Sequence, residues 1–410
     1  MEKHTKNISL WYISKYAVVP GDGNPTRQYL FSKYFVRNNL NVTLFSSKSS
    51  GIKNSKVKGL ARKKEIDGLT HILINGPEIS LGFSLKRIFS WVIFETLLFI
   101  SPLFLKPRKP DVIIVSSLSL LTVLTGFFFK KIYKAKLIIE VRDIWPLTLI
   151  ELKNLSAGNP FVFFLKQIEK FAYKHADFIV GSMPELDKHI KTTINKSFKF
   201  SCVPMGFDPD LYKTRKKIPK SLKQQLPENK FIAGYAGSIG IANCINEIVE
   251  AAEKLENKET NIFFAVLGEG ALKKEFEERT QNMKNIIFLP KVPKEEVNDF
   301  LASCDLLLNP WQDKKIYKFG VSPNKWIDYM YSEKPIIVSY NGYESIINEA
   351  NCGEFIQANN PGLLADKIVE YSNKNSAELK QLGKNGKKYL EENLDYNILA
   401  KKYIDIIKSL

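Results

Sequence analysis

Histidine and cysteine, the side chains on which much enzyme chemistry depends, are scarce in this 410-residue chain, with four of each. Cys202, Cys244, Cys304 and Cys352 are scattered, with no C-x-x-C pair and no histidine close by. That excludes a disulfide scaffold and gives no structural-metal spacing, so the thiols are expected to be buried in a reducing compartment. His4, His71, His175 and His189 fall outside every motif described below, so no histidine base is expected. Internal repeats are absent, as are RNA- or DNA-binding motifs and the basic–aromatic interleaving that stacks bases, which argues against a nucleic-acid partner. Met1–Lys6 is polar and the apolar run Ile8–Ile13 is too short for a signal peptide, which makes the cytoplasm the expected compartment. Acidic residues are also in deficit, 43 against 60 Lys and Arg, for a net charge of +17. The first 100 residues alone hold 15 basic against 6 acidic side chains. A basic face attracts anionic lipid, although part of this excess is the Lys-, Asn- and Ile-rich composition of the whole chain.

What is present describes a folded protein: 44% hydrophobic and 25% charged residues, in a chain long enough for two domains. Apolar strands alternate with helical patterns, as in parallel α/β layers. In the first half the strands are expected at 8–13, 42–45, 71–74, 112–115, 137–141 and 178–181, with helices at 26–38, 118–133 and 160–175. A second set is expected at 231–237, 262–267, 286–288, 306–309, 336–339 and 353–356. The charged, proline-containing stretch 213–230 reads as a linker between domains 1–212 and 231–395. Two doubly wound sheets facing a cleft are the expected outcome, with ligands at the carboxyl ends of the strands. Residues 83–106 are nearly long and apolar enough to span a membrane. Glu95 in the middle and Pro102, which should break the helix, favour a buried or membrane-surface helix with basic flanks.

The most informative stretch runs from Phe319 to Ser339. A polar loop with Ser322, Asn324 and Lys325 enters a short helix that carries Asp328 one turn in, before Lys334-Pro335 and a β-branched strand. A helix start offers free N–H groups to a phosphate, and a carboxylate a turn later can accept ribose hydroxyls, although an ordinary amphipathic helix fits the same pattern. Pro20-Gly21-Asp22-Gly23-Asn24-Pro25-Thr26-Arg27 follows the first strand as a glycine-rich turn opening a helix. Glu140-Val-Arg142-Asp143-Ile-Trp-Pro146 closes another strand, where charge must face solvent or a site. An Arg142–Asp143 ion pair over packed Trp145-Pro146 is as consistent with that pattern as catalysis.

Those motifs, in this order, resemble glycosyltransferase family 4, retaining enzymes of the two-domain GT-B fold. The form Gly320-Val-Ser-Pro-Asn-Lys325 and the Val-Arg-Asp-x-Trp-Pro run look like the branch that builds bacterial O-antigens and capsules, including fucosamine-type aminosugar transferases. The family's usual Glu-x7-Glu pair is reduced here to Asp328, with Gly320 in the first position. Gly234-Tyr-Ala-Gly237-Ser238-Ile-Gly240 resembles the turn under the donor diphosphate, but the Arg and Lys that often clamp the phosphates are missing after it. Lys325 is the best substitute on spacing, ahead of Lys315 and Lys318. Leu267-Gly-Glu269-Gly270 resembles the family's Gly-Asp/Glu-Gly turn, where Glu269 contacts the donor or caps the next helix; the strand exit around Lys291 resembles the one that meets the base. The loop Asn309-Pro310-Trp311 is placed for the sugar.

The resemblance implies donor binding by Gly21, Gly23, Gly237, Ser238, Glu269, Lys291, Ser322, Asn324, Lys325 and Asp328. It places Arg27 and Arg142 toward the acceptor, makes Asp143 and Lys325 the catalytic candidates, and has the last helix (398–410) cross back to the first domain. It further implies transfer of an N-acetylated aminosugar from a UDP donor to a lipid-linked saccharide, without a metal or cofactor, at the cytoplasmic membrane surface. Two alternatives stand beside it: a nucleotide-sugar epimerase of the same fold, and a non-catalytic membrane-docked binding subunit.

Overall fold

The computed structural model describes residues 7–48, 57, 59–77, 85–117, 119–214, 216–256, 258 and 260–410. The expectations at Met1–Lys6, Phe83, Ser84, Leu118 and residue 215 lie outside the described residues. The chain divides into two compact units, Met1–Pro204 with Tyr396–Leu410, and Met205–Asp395.

In the first unit the order is β1 (Ser9–Ile13), α1 (Arg27–Arg37), β2 (Asn41–Ser47), β3 (Ala61–Ile66), β4 (Leu69–Ile74), α2 (Leu85–Leu105) and β5 (Val112–Ser116). It continues through α3 (Thr122–Tyr133), β6 (Lys136–Val141), α4 (Leu147–Lys153), α5 (Pro160–His175), β7 (Phe178–Gly181), α6 (Leu186–Thr193) and β8 (Phe200–Cys202). The sheet order is β3-β4-β2-β1-β5-β6-β7-β8, parallel except for β3 against β4. Both faces of its central strands are buried, which is why they read as continuous Val/Ile/Leu runs. On β1, Leu10 and Tyr12 join the core shared with α1, while Trp11 packs edge-on against Phe129 of α3 on the other face.

The second unit begins with α7 (Pro209–Tyr212) and α8 (Lys220–Lys223), then β9 (Phe231–Ala236), α9 (Ile245–Glu256), β10 (Ile262–Leu267), α10 (Lys273–Arg279) and β11 (Ile286–Leu289). It closes with α11 (Lys294–Ala302), β12 (Leu306–Leu308), α12 (Asn324–Tyr331), β13 (Ile336–Ser339), β14 (Gly353–Ile356), α13 (Pro361–Ser372) and α14 (Ser376–Asn393). The parallel order β11-β10-β9-β12-β13-β14 reverses direction between β9 and β12, the place where open α/β sheets bind ligands. Helix α15 (Tyr396–Lys408) then returns to the first unit, where Tyr396 and Tyr403 pack edge-on against Phe31.

Three expectations need correction. The stretch 213–230 is part of the second unit, which starts at Met205. The Lys216 and Ile218 N–H groups donate to Glu295 O and the Asp299 carboxylate, so this charged segment is packed rather than a free linker. Pro102 does not break α2, because it sits in the last turn and the Leu98 carbonyl it would strand accepts the Ser101 hydroxyl at 2.9 Å. Strands β3 and β8 were not expected: β3 is a charged edge strand, Ala-Arg-Lys-Lys-Glu-Ile, and β8 is only three residues long.

Candidate functional site

The second unit holds a cavity of about 270 Å³ at the β9–β12 switch point, lined by Ala236, Gly237, Ser238, Asn243, Val297, Leu301, Asn324, Lys325, Asp328 and Tyr329. Five residues singled out from the sequence therefore meet here: Gly237, Ser238, Asn324, Lys325 and Asp328. A smaller cavity of about 130 Å³, lined by Ala242, Asn243, Asn309, Pro310, Trp311, Pro323 and Lys325, shares Asn243 and Lys325 with the first.

The backbone under the larger cavity is set by glycine. A Cβ on Gly268 would lie 1.8 Å from Gly237 O, and one on Gly270 would lie 2.0 Å from Ile239 O. Only glycine lets the turns after β9 and β10 stack so closely, and they are joined by the Ile239 N–H to Glu269 O bond of 2.9 Å. Gly237 itself leaves room for the lysine, since a Cβ there would sit 3.1 Å from Lys325 Nζ.

Lys325 lies in the first turn of α12, whose N-cap, Pro323, supplies no side-chain cap. Its ammonium donates to Tyr235 Oη at 2.9 Å and stands 4.1 Å from the centre of that ring. Burial lowers its pKa to about 7, partly offset by the Asp328 charge. A positive group so poorly solvated, beside uncapped N–H groups, is suited to an anion. Around it, Tyr329 ties the two strands together, accepting the Ala236 N–H at 3.1 Å and donating to Leu308 O at 3.2 Å. Asn309 is held by two indoles, its Oδ1 accepting from Trp326 at 2.7 Å and Trp311 at 2.9 Å.

Asp328 lines the cavity, but its oxygens already have partners. Tyr212 donates to Oδ1 at 2.7 Å and Lys294 pairs with Oδ2. Tyr212 is fixed in a three-ring cluster with Phe207 and Tyr331, whereas Lys294 is half exposed. A carboxylate has about four acceptor sites, so two bonds leave capacity toward the cavity.

Other expected site residues are used differently. Ser322 Oγ accepts the Met205 N–H at 2.8 Å, fixing the start of the unit. Glu269 does not cap α10; it pairs with Lys273 at 2.8 Å, and that bond lowers its pKa. Lys291, Lys315 and Lys318 are exposed and line neither cavity. Gly320 is buried at φ +85°, a conformation that excludes the glutamate expected from the family pattern. Asn243, Tyr235, Tyr212 and Lys294 were missed. Tyr235 lies inside the Gly234–Gly240 run and Asn243 just after it, but the partners that give Tyr235, Tyr212 and Lys294 their roles are 34 to 116 residues away.

In the first unit Gly21, at φ +84°, shapes the turn before α1. Gly23 follows it, with Asp22 paired to Lys64. Arg27 is not a ligand-facing group. It is fully buried, donates from Nε to Glu140 at 3.0 Å and from Nη2 to Val203 O at 2.7 Å, and also binds Pro204 O. Glu140 completes this network by accepting from Tyr12 at 2.7 Å, so its charge is met internally instead of by solvent or substrate. Asp143 is half-buried and accepts from Thr148 at 2.6 Å and from the Trp145 indole at 3.2 Å; burial raises its pKa despite those bonds. The Arg142 N–H donates to Ser117 Oγ at 3.3 Å. The chain's Asp-x-Asp spacing, Asp208-Pro209-Asp210, is a helix cap: the Asp208 carboxylate accepts the Asp210 N–H at 3.1 Å.

Residues 216–389, most of the second unit, match the family described as glycosyl transferases group 1. Among whole-chain similarities, a probable glycosyltransferase WbjE of Pseudomonas aeruginosa is 23% identical over 327 residues, 78% of this chain and 79% of the relative. The sucrose-phosphate synthase of Thermosynechococcus elongatus superposes with a TM-score of 0.72 at 13% identity, over 98% of this chain and 99% of that one. Anabaena Alr3699/HepE, in complex with UDP and glucose, gives a TM-score of 0.65 at 13% identity over 98% and 100% of the two chains. The fold is GT-B. Its second unit holds the cavity lined by Lys325 within the matched residues, and helix α15 belongs to the first unit.

Proposed function

We propose that this chain is a retaining glycosyltransferase of family 4. It moves an N-acetylated aminosugar from a UDP donor to a lipid-linked saccharide at the cytoplasmic face of the plasma membrane, in bacterial surface-polysaccharide synthesis. The observation that carries the donor half of this reading is Lys325, desolvated beside the Gly237-Ser238 turn and the uncapped start of α12, within a glycosyl transferases group 1 domain. The diphosphate sits against these groups, the ribose hydroxyls reach Asp328, and the sugar enters the smaller cavity beside Asn309 and Trp311. The UDP complex of Alr3699/HepE supports a uridine donor by analogy. WbjE supports transferase chemistry in the same way.

As the glycosidic bond breaks, negative charge collects on the departing diphosphate. A lysine and backbone N–H groups aimed at it bind the transition state more strongly than the ground state. The acceptor hydroxyl attacks the same face of the anomeric carbon, and its proton passes to the leaving phosphate. Asp143, with its raised pKa, orients that hydroxyl. The test is a turnover assay with UDP-N-acetylaminosugars and a detergent-solubilised lipid-linked saccharide. Release of UDP together with a glycosylated lipid of unchanged anomeric configuration is expected. Sugar isomerisation without an acceptor, or donor binding without turnover on any lipid acceptor, would contradict it.

A further inference from the structure

Of the 14 exposed large apolar side chains among the described residues, nine stand on α2, α3 and α5 of the first unit. These helices form one layer. Phe99 of α2 stacks on Phe129 of α3 at 5.8 Å and meets Phe128 at 6.2 Å, and Phe127 of α3 meets Phe171 of α5 at 4.9 Å. The outer stripe is therefore shared: Phe89 and Leu103 on α2, Phe128 and Ile132 on α3, Phe163 and Phe164 on α5. Leu103 is 76% exposed, Phe89 63% and Phe163 62%. Soluble surfaces rarely gather so much apolar area without covering it.

The inner stripe of α2 is committed to its own domain. Trp91, Phe94, Leu98 and Ser101 are buried, and Lys15 Nζ donates to Ser90 O at 2.9 Å and Ser90 Oγ at 2.6 Å. Although Ile88–Leu105 is long and apolar enough to cross a membrane, a third of that stretch is buried in a folded layer, which a span would have to dismantle. Charge identifies the occupant of the outer face. Exposed Lys106, Lys109, Lys131, Lys134, Lys166 and Lys170 stand on or beside it. The only carboxylates on the three helices turn inward: Glu95 accepts from Thr122 and Thr125, and Glu169 from Tyr173 and His189. A second copy of this face would meet its own positive charge, whereas an anionic bilayer satisfies both the lysines and the aromatic stripe.

We propose that the outer face of α2, α3 and α5 docks the first unit onto an anionic lipid bilayer, with its aromatic and aliphatic side chains at the acyl boundary and its lysines among the headgroups. This inference rests on the membrane location proposed above and deepens it, but it uses the first unit's surface alone and needs neither donor nor acceptor, so its failure is distinguishable from failure of the proposed transfer reaction.

The test is co-sedimentation of the full chain with vesicles of phosphatidylcholine, or of phosphatidylcholine with an equal amount of phosphatidylglycerol. Binding is expected to the mixed vesicles only and to weaken with salt. Each lysine at an anionic surface is worth roughly fivefold in partition, so K131Q/K166Q/K170Q should lose roughly 100-fold. F89S/L103S/F163S should lose at least about tenfold. Circular dichroism and melting curves establish that both triple variants remain folded, as expected for exposed positions. Four results would overturn the proposal. The folded protein could fail to pellet with mixed vesicles, or both variants could pellet like the parent. F89S/L103S/F163S could abolish a concentration-dependent dimer instead, or the bound protein could survive an alkaline carbonate wash, which indicates a span.

Discussion

A buried lysine with a pKa near 7 makes ligand binding depend on pH in a defined direction. The protonated form is the one that meets a diphosphate, and bound negative charge raises the lysine pKa, so binding takes up a proton. Association is therefore strongest below about pH 7 and weakens as pH rises through it. A nucleotide sugar, whose diphosphate has no proton to lose in this range, should bind about tenfold more weakly at pH 8 than at pH 6. Calorimetry in buffers of different ionisation enthalpy should detect the proton uptake, and Lys325→Met should flatten the profile. Asp328 requires a different control. Asp328→Ala removes the acceptor of the Tyr212 hydroxyl bond and the carboxylate paired with Lys294, at a cost of about 1–3 kcal/mol in the absence of ligand. Asp328→Asn keeps an acceptor for Tyr212, and should retain most of that stability in urea titrations while weakening nucleotide binding.

At the scale of elements, two contacts carry much of the architecture. The Arg27–Glu140 pair lies wholly inside the first unit and joins α1 to the end of β6 and to the Val203 and Pro204 carbonyls. Removing one partner leaves an unpaired buried charge, so Arg27→Ala should destabilise the first unit by about 3–5 kcal/mol. Arg27→Met with Glu140→Leu should recover much of the loss in the same denaturation experiment. In the second unit, the stacked turns after β9 and β10 tolerate no Cβ at position 268. Gly268→Ala must displace the Gly237 carbonyl, and so should abolish nucleotide binding even in protein whose circular dichroism is native. The contrast between these contacts explains what sequence could and could not reveal. Glycine-rich turns and β-branched runs are local signals, and all six strands of the second sheet were legible from them. Arg27 and Glu140 are 113 residues apart, and nothing local distinguishes a buried pair from two groups facing a ligand.

For the whole molecule, two parallel sheets in sequence order made a GT-B chain readable, because each βα unit declares itself locally. The boundary was harder to place. Residues 213–230 look like a linker in composition and 205–212 like the end of the first domain, yet both are held within the second unit by distant partners: Ser322 receives the Met205 N–H, Asp328 the Tyr212 hydroxyl, and Asp299 the Ile218 N–H. Charge was legible only as an excess. The structure adds that it gathers with exposed apolar side chains on three adjoining helices. Gly320 and the missing phosphate clamp pointed toward lost function, but Lys325, Tyr235 and two adjoining cavities retain the means to hold a charged donor.

The most direct test is the melting curve of the intact protein and of Lys325→Met against saturating UDP, UDP-N-acetylaminosugars and GDP. At about 100 times Kd a uridine ligand should stabilise the second unit by about 2.7 kcal/mol. For a unit of this size that corresponds to a rise of roughly 5–10 °C. The rise should be absent in folded Lys325→Met and much smaller with GDP. No shift with any nucleotide, or an equal shift in Lys325→Met, would contradict a donor site built around Lys325.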